Sequence, residues 1–283
     1  MAREYQHDHL GDLAASTTFF LLLSIPAGTL AFVSALGSLG SIIGEDLSTR
    51  ARDAVIEAME DVLTGEADQV VAAVDALFDR PKTGLLTLSL LIALFTLSRA
   101  FAAVIRAFDS AYDTEETRPF WYQRIVAIGL AVGSVVVAAG LVVTDVVLWR
   151  VLPDWTLLEV LRVPVLMVGA TMWAATLFHI GPNVRSPWRW NLPGALFAAA
   201  GWSLLAVGFR FYVYVTGGAN QVLGIIGGAL LALTFLYLVN VVLLAGAELN
   251  AVLAQRAGVL DQMRPIRQRV AEQLQALQRA LED

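Results

Sequence analysis

Cysteine is absent from all 283 residues, which excludes disulfides and thiolate-held metal sites and removes any signal of redox compartment. Histidine is nearly as scarce, with three copies. A metal-dependent nuclease needs several His and carboxylate side chains converging on an ion. His7-Asp8-His9 followed by Asp12 superficially resembles such a set, but it sits in a terminus with no companion cluster, and His179 lies far along the chain. No metal or other cofactor is expected. The chain also lacks a Ser/His/Asp arrangement and a phosphate-binding glycine loop, so neither an enzyme nor an ATP-driven pump is expected. Lysine is reduced to Lys82 beside eighteen Arg, and only 16% of residues are charged where about a quarter is usual.

Long uncharged runs take the place of the missing charge. Hydrophobic residues make up 57% of the chain and mean hydropathy is +0.67, more than one soluble core can absorb. Ile225 to Ala247 carries no charge, and its 23 residues rise roughly 35 Å at about 1.5 Å each, enough to cross a hydrocarbon layer of about 30 Å. Runs this long without alternation are helices, because lipid offers the backbone no other hydrogen-bonding partner. The expected architecture is all-α and polytopic, with six transmembrane helices at about 13-43, 83-108, 125-149, 160-181, 192-215 and 222-252. The first run is too long for one perpendicular crossing and contains Pro26, so a tilt or kink is expected there. Lacking a basic leading segment, it does not read as a cleaved signal peptide.

Arginine and lysine set the orientation. With the amino terminus inside, Arg3, Arg99, Arg106, Arg118, Arg124, Arg185, Arg189, Arg256, Arg264, Arg267, Arg269 and Arg279 fall on the cytoplasmic side, twelve against six outside. A multi-pass protein of the cytoplasmic membrane with both termini cytoplasmic is expected. Segment 45-82 is acidic and amphipathic, and forms an extracytoplasmic helical cap or a lid over a lateral opening. Residues 256-283 form a cytoplasmic amphipathic tail, with Ile266, Val270, Leu274, Leu277 and Leu281 on one stripe. The stripe suits a partner chain or the membrane surface.

Charges inside or beside the bilayer are the candidate site, since such groups are costly there and face protein or water. Arg99 and Arg106 are seven apart on one face, Asp109 lies one turn on, and His179, Glu248 and Asn250 reach the same inner side from other helices. Two readings stand: ion pairs that tie helix ends together, with Glu248 as partner of Arg99 or Arg106, or an inner-leaflet vestibule in which guanidinium forks recognise phosphate or another anion. At the outer side Asp145 and Arg210 form a pair, or Arg210 snorkels beside Tyr212 and Tyr214. Gly40 with Gly44, Gly129 with Gly133 and Gly224 with Gly228 have the spacing of close helix approach, by packing or in a dimer. Pro26, Gly224, Gly228 and Gly246 are structural candidates, with Pro26 and the Gly-rich start of the sixth helix as hinge candidates.

Leu13-Ala14-Ala15-Ser16 leading to Ser24-Ile25-Pro26, Phe108-Asp109-Ser110-Ala111-Tyr112 with Arg118 to Arg124 after it, Pro182-Asn183-Val184, Pro193-Gly194-Ala195 with Trp202, and the closing Gly246 to Ala251 occur in an order that resembles the YihY/BrkB family of prokaryotic inner-membrane proteins, once labelled ribonuclease BN. Asp109 stands where that family carries Asn. The resemblance spans about residues 10 to 255. It implies a six-helix membrane protein of unsettled activity, linked in places to serum resistance and envelope lipid export, for which the nuclease label is a misassignment. Three functions follow in order: a transporter or flippase of lipid or another amphiphile, a non-transporting envelope-integrity scaffold, and last a membrane-bound nuclease. The expected partners are membrane lipids, with a homo-oligomer through small-residue helix faces or the C-terminal helix, and no nucleic acid.

Overall fold

The computed structural model describes residues 11–24, 83–151, 156–184, 186–216 and 224–260. Every regular element among them is a helix, and five are long and apolar enough to cross a membrane. α1 (Gly11–Ser24) is short. α2 (Thr83–Ala111), α3 (Phe120–Val151), α4 (Thr156–Ile180), α5 (Trp188–Thr216) and α6 (Gly224–Arg256) follow in order. Pro26, Gly40, Gly44, the segment 45-82 and the tail from 261 lie outside the described residues.

Consecutive helices pack as neighbours from α2 through α6, and α2 also packs on α6, which closes a ring. α1 sits over that seam. Its Thr18 Oγ1 accepts a hydrogen bond from Asn240 Nδ2 of α6 at 3.2 Å, and its Phe20 ring lies 4.9 Å from the Arg99 guanidinium carbon of α2. Half of the α2 span is buried, against about a quarter or less in the other four.

Small side chains make that assembly possible. Ala100, Ala103, Ala107 and Ala111 form a stripe along α2, and Ala127, Ala131, Ala174, Ala175, Ala195, Ala198, Ala247, Ala251 and Ala254 face the same core. In lipid, helices gain little from the hydrophobic effect between themselves, so close backbone approach and dispersion hold them together. Phe108 of α2 and Phe178 of α4 fill the remaining space, ring edge to ring face at 5.4 Å. Outward-facing residues are large and apolar, among them Leu91, Phe95, Val136, Val168, Leu204 and Leu230, as a lipid-facing surface requires. Hydroxyls within the spans return to their own helix, Thr96 to Ile92 O at 2.8 Å and Ser203 to Ala199 O at 2.9 Å, which settles their polarity without a partner helix.

The closest approach is between α5 and α6. Gly194 and Gly246 meet backbone to backbone, and a methyl group on Gly246 would lie 2.7 Å from the Gly194 carbonyl. Further along, Gly201 admits Val242, and Trp202 Nε1 donates to Val239 O at 3.0 Å. Of the expected glycine pairs, Gly133 receives the Trp173 ring whereas Gly129 faces open space. Gly224 opens α6 and Gly228 follows one turn later, without described surroundings.

α5 begins at Trp188, so Pro193 lies within the helix and not at its start. The missing N–H and the ring's clash with the preceding turn would normally break a helix there. Asn250 of α6 fastens the residues on either side of the proline, accepting from Gly194 N at 2.7 Å and donating to Asn191 O at 3.2 Å. At the far end of α6, Gly258 takes a left-handed conformation (φ 68°), and Val259 N bonds to Ala254 O at 3.1 Å, a Schellman stop. α2 ends by the same device with Asp113 at φ 46° and Thr114 N on Asp109 O at 2.8 Å.

Candidate functional site

The ends of α2, α4 and α6 and the starts of α3 and α5 share one end of the bundle, and two distinct polar constructions sit there. The first is a groove of about 600 Å³ lined by Phe95, Arg99, Ala102 and Arg106 of α2 and Phe120, Gln123 and Arg124 of α3. Seven residues is close to two helical turns, so Arg99 and Arg106 project from one face, and the α2–α3 hairpin returns Arg124 beside them. Arg99 lies over Phe20 at 4.9 Å and Arg124 over Phe95 at 5.3 Å, ring faces that attract a cation by about 0.5–1 kcal/mol at exposed sites and hold each guanidinium in place. The positive charges of Arg99 and Arg106 are close enough to repel. Among the described residues the groove lining contains no carboxylate.

The second construction is buried and paired. Asp109 is 4% exposed, and its Oδ1 accepts from the backbone N–H of Asn183 at 2.6 Å. Its Oδ2 lies 4.0 Å from Arg118 Nη2, which also contacts Glu116 Oε2 at 2.6 Å and donates to Gly181 O at 2.9 Å. Asn183 Nδ2 completes the stitch to Glu115 O at 3.0 Å and Thr117 Oγ1 at 2.8 Å. The α2–α3 loop is thereby tied to the turn after α4, where Gly181 leaves room for Phe108. Glu248 and Asn250 of α6 are buried beside Tyr112, itself 1% exposed. Burial holds the Tyr112 phenol above its ordinary pKa, the Glu248 charge adds to that, and Asn250 opposes it. Around the start of α5, Ser186 Oγ donates to Asn191 Oδ1 at 2.8 Å. His179 lies at the rim, Nδ1 3.4 Å from Asn191 Nδ2 and its ring edge-on to Trp188 at 5.2 Å.

The six residues expected to form one cluster are therefore divided. Arg99 and Arg106 open on the groove, while Asp109, Glu248 and Asn250 face the interior and His179 stays exposed at the edge. Arg118 forms ion pairs with Asp109 and Glu116. Rotation explains the division: at about 100° per residue, Asp109 is turned about 60° from Arg106 and 80° from Arg99, enough to pass from groove to core. Arg124 was missed as a site residue, although it starts α3 about as far from the hairpin turn as Arg106 ends α2. That symmetry was a readable signal.

Of the structural candidates, Gly246 lies in the α5–α6 contact and Arg210 is exposed on α5. Asp145 falls within α3, but its side chain, and with it an Asp145–Arg210 pair, lies outside the described residues. Among the described residues no three His or carboxylate side chains converge as a metal site would require.

A family model described as Virulence factor BrkB matches residues 1–271. A protein of Bacillus subtilis named ribonuclease-like protein YfkH is 30% identical over 192 residues, 63% of this chain and 69% of its own length. A UPF0761 membrane protein of Methylibium petroleiphilum is 24% identical over 89% of this chain and 60% of its own length. Another, of Pseudoalteromonas translucida, is 34% identical over 34% of this chain and 30% of its own. No solved structure matches.

Proposed function

This chain belongs to the BrkB family of multi-pass membrane proteins, and on that premise we propose that it is a transporter or flippase of a lipid or other anionic amphiphile, with the arginine groove as the headgroup site. One observation carries the reading: Arg99, Arg106 and Arg124 converge on a groove of about 600 Å³ whose lining, among the described residues, holds no carboxylate. Cations gathered in or near a bilayer without a lining counter-charge are costly, and an anionic ligand relieves the cost. Guanidinium suits that task, because its planar fork donates two parallel hydrogen bonds to a phosphate and needs less desolvation than an ammonium. Phe95 and Phe120 supply apolar walls against which the hydrophobic part of an amphiphile rests.

The arginine count that puts both termini in the cytoplasm also puts this groove at the inner leaflet, where anionic headgroups are abundant. The chain is read as a non-enzyme of the cytoplasmic membrane, not driven by ATP on its own, so movement is passive, ion-coupled or driven by a partner. The buried clasp of Asp109, Asn183 and Arg118 serves as the fixed end of the bundle.

Proteoliposomes holding the purified chain and a fluorescent anionic lipid test the reading directly. Wild type should move the probe between leaflets, and Arg99→Ala with Arg106→Ala should slow it at least tenfold, the equivalent of about 1.4 kcal/mol. No movement of any lipid by wild type would leave the chain a scaffold. Equal rates in wild type and variant would remove the groove from the mechanism.

A further inference from the structure

The polar groups of the groove are unusual in what they omit. Arg118, at the same end of the bundle, is committed to two carboxylates and a carbonyl. Among the described residues, Arg99, Arg106 and Arg124 share their groove with one carboxamide, Gln123, and with no acid. Two of them lie over phenyl rings, Arg99 over Phe20 at 4.9 Å and Arg124 over Phe95 at 5.3 Å, and a cation–π contact through the ring face uses none of the five N–H donors of a guanidinium as a conventional hydrogen bond. We infer that this groove selects terminal phosphate, a phosphomonoester or diphosphate carried on a lipid, over bridging phosphodiester and over zwitterionic headgroups. The inference rests on the headgroup reading above and names the chemistry of what that site takes.

Charge, oxygen count and volume each favour terminal phosphate. A zwitterionic headgroup brings an ammonium to a lining whose described residues include three cations and no carboxylate to receive it, so its net attraction is small. A phosphodiester has one charge and two non-bridging oxygens, enough to occupy one guanidinium fork. A phosphomonoester has three terminal oxygens and a charge of about −1.5 to −2 at neutral pH, and so offers contacts to all three forks while offsetting the repulsion between Arg99 and Arg106. Volume agrees, since about 600 Å³ accommodates a headgroup and lies well inside the ordinary range of ligand pockets, about 300–1,000 Å³.

The full chain in phosphatidylcholine nanodiscs, doped in turn with phosphatidic acid, phosphatidylglycerol or phosphatidylethanolamine, provides the test, with retained lipid counted by native mass spectrometry. Phosphatidic acid should be held roughly tenfold better than phosphatidylglycerol, the worth of one further charge-assisted hydrogen bond, with phosphatidylethanolamine weakest. Its retention should also rise as pH passes about 6, where the second phosphate proton leaves, while phosphatidylglycerol stays flat. Arg106→Gln and Arg124→Gln, from opposite walls, should each abolish the preference, and Arg106→Lys should restore only part of it. Equal retention of phosphatidic acid and phosphatidylglycerol overturns the inference, as does a preference that survives both Gln variants. Inorganic pyrophosphate binding as tightly in discs without charged lipid would assign the site to a soluble anion and overturn the lipid carrier. Binding is read here without movement, so a strong preference with no flipping refutes transport alone, and flipping with no preference refutes this selectivity alone.

Discussion

Replacing Gly194 by Ala places one methyl group at the tightest point of the bundle. The new Cβ would meet the Gly246 carbonyl and come within 2.6 Å of both Cγ and Nδ2 of Asn250, contacts closer than real carbon atoms make. The neighbouring atoms are backbone on one side and a doubly engaged amide on the other, so neither can rotate aside. α5 must instead slide away from α6. Overpacking of this kind costs about 1–3 kcal/mol, and stretching the Gly194 N to Asn250 Oδ1 bond adds about 1 kcal/mol. A total of about 2–4 kcal/mol corresponds to a melting point lowered by about 5–12 °C in a chain of this size. Intrinsic-fluorescence melting in detergent reads it. Gly208→Ala, on the same helix but facing open space, is the control and should hold or raise the melting point, because alanine favours a helix by up to about 1 kcal/mol over glycine. Should Gly194→Ala melt within about 2 °C of that control, the backbone contact does not support the bundle as argued.

Asp109→Ala removes the acceptor from the Asn183 N–H and should cost about 1.5–3 kcal/mol, whereas Asp109→Asn keeps an acceptor and should recover at least half. Limited proteolysis at Arg118 checks the same change, since the α2–α3 loop should be cut faster in the Ala variant than in the Asn one. Tyr112 sets an alkaline limit: burial raises its pKa, so the unfolded chain ionises at about pH 10 while the folded one does not. The Tyr112 contribution is thus intact below about pH 10 and lost above it, and melting of Tyr112→Phe should fall less steeply than wild type between about pH 9.5 and 11.

The helices were readable from the sequence where lipid replaces water, because an uncharged run then has one solution for its backbone. The run from Ile225 is helical from Gly224 to Arg256, beyond its apolar limits, because Glu248 and Asn250 are accommodated in the interior. The start of α5 was not readable. Pro193 marks a helix beginning by local rules, whereas α5 runs back to Trp188 with Asn250, distant in sequence, bonded on either side of the proline. The candidate site was legible in height but not in rotation: depth in the membrane follows from counting residues, while which side of α2 meets the core depends on the alanine stripe, a pattern that hydropathy weights lightly. Arg99 and Arg106 were identified as candidates, their companion Arg124 was not, and Glu248 lies with Tyr112 in the interior.

The contact of Gly194 with Gly246, fastened by Asn250, also supplies a ruler. Two helices joined through their backbones cannot separate or shear without breaking that join, so probes placed on the exposed faces of α5 and α6 should report one constant distance whatever the protein is doing. A second distance, from either helix to α1 or to the groove face of α2, can be calibrated against it. Any working motion of the protein then registers as change in the second measurement alone, with the first as its internal standard.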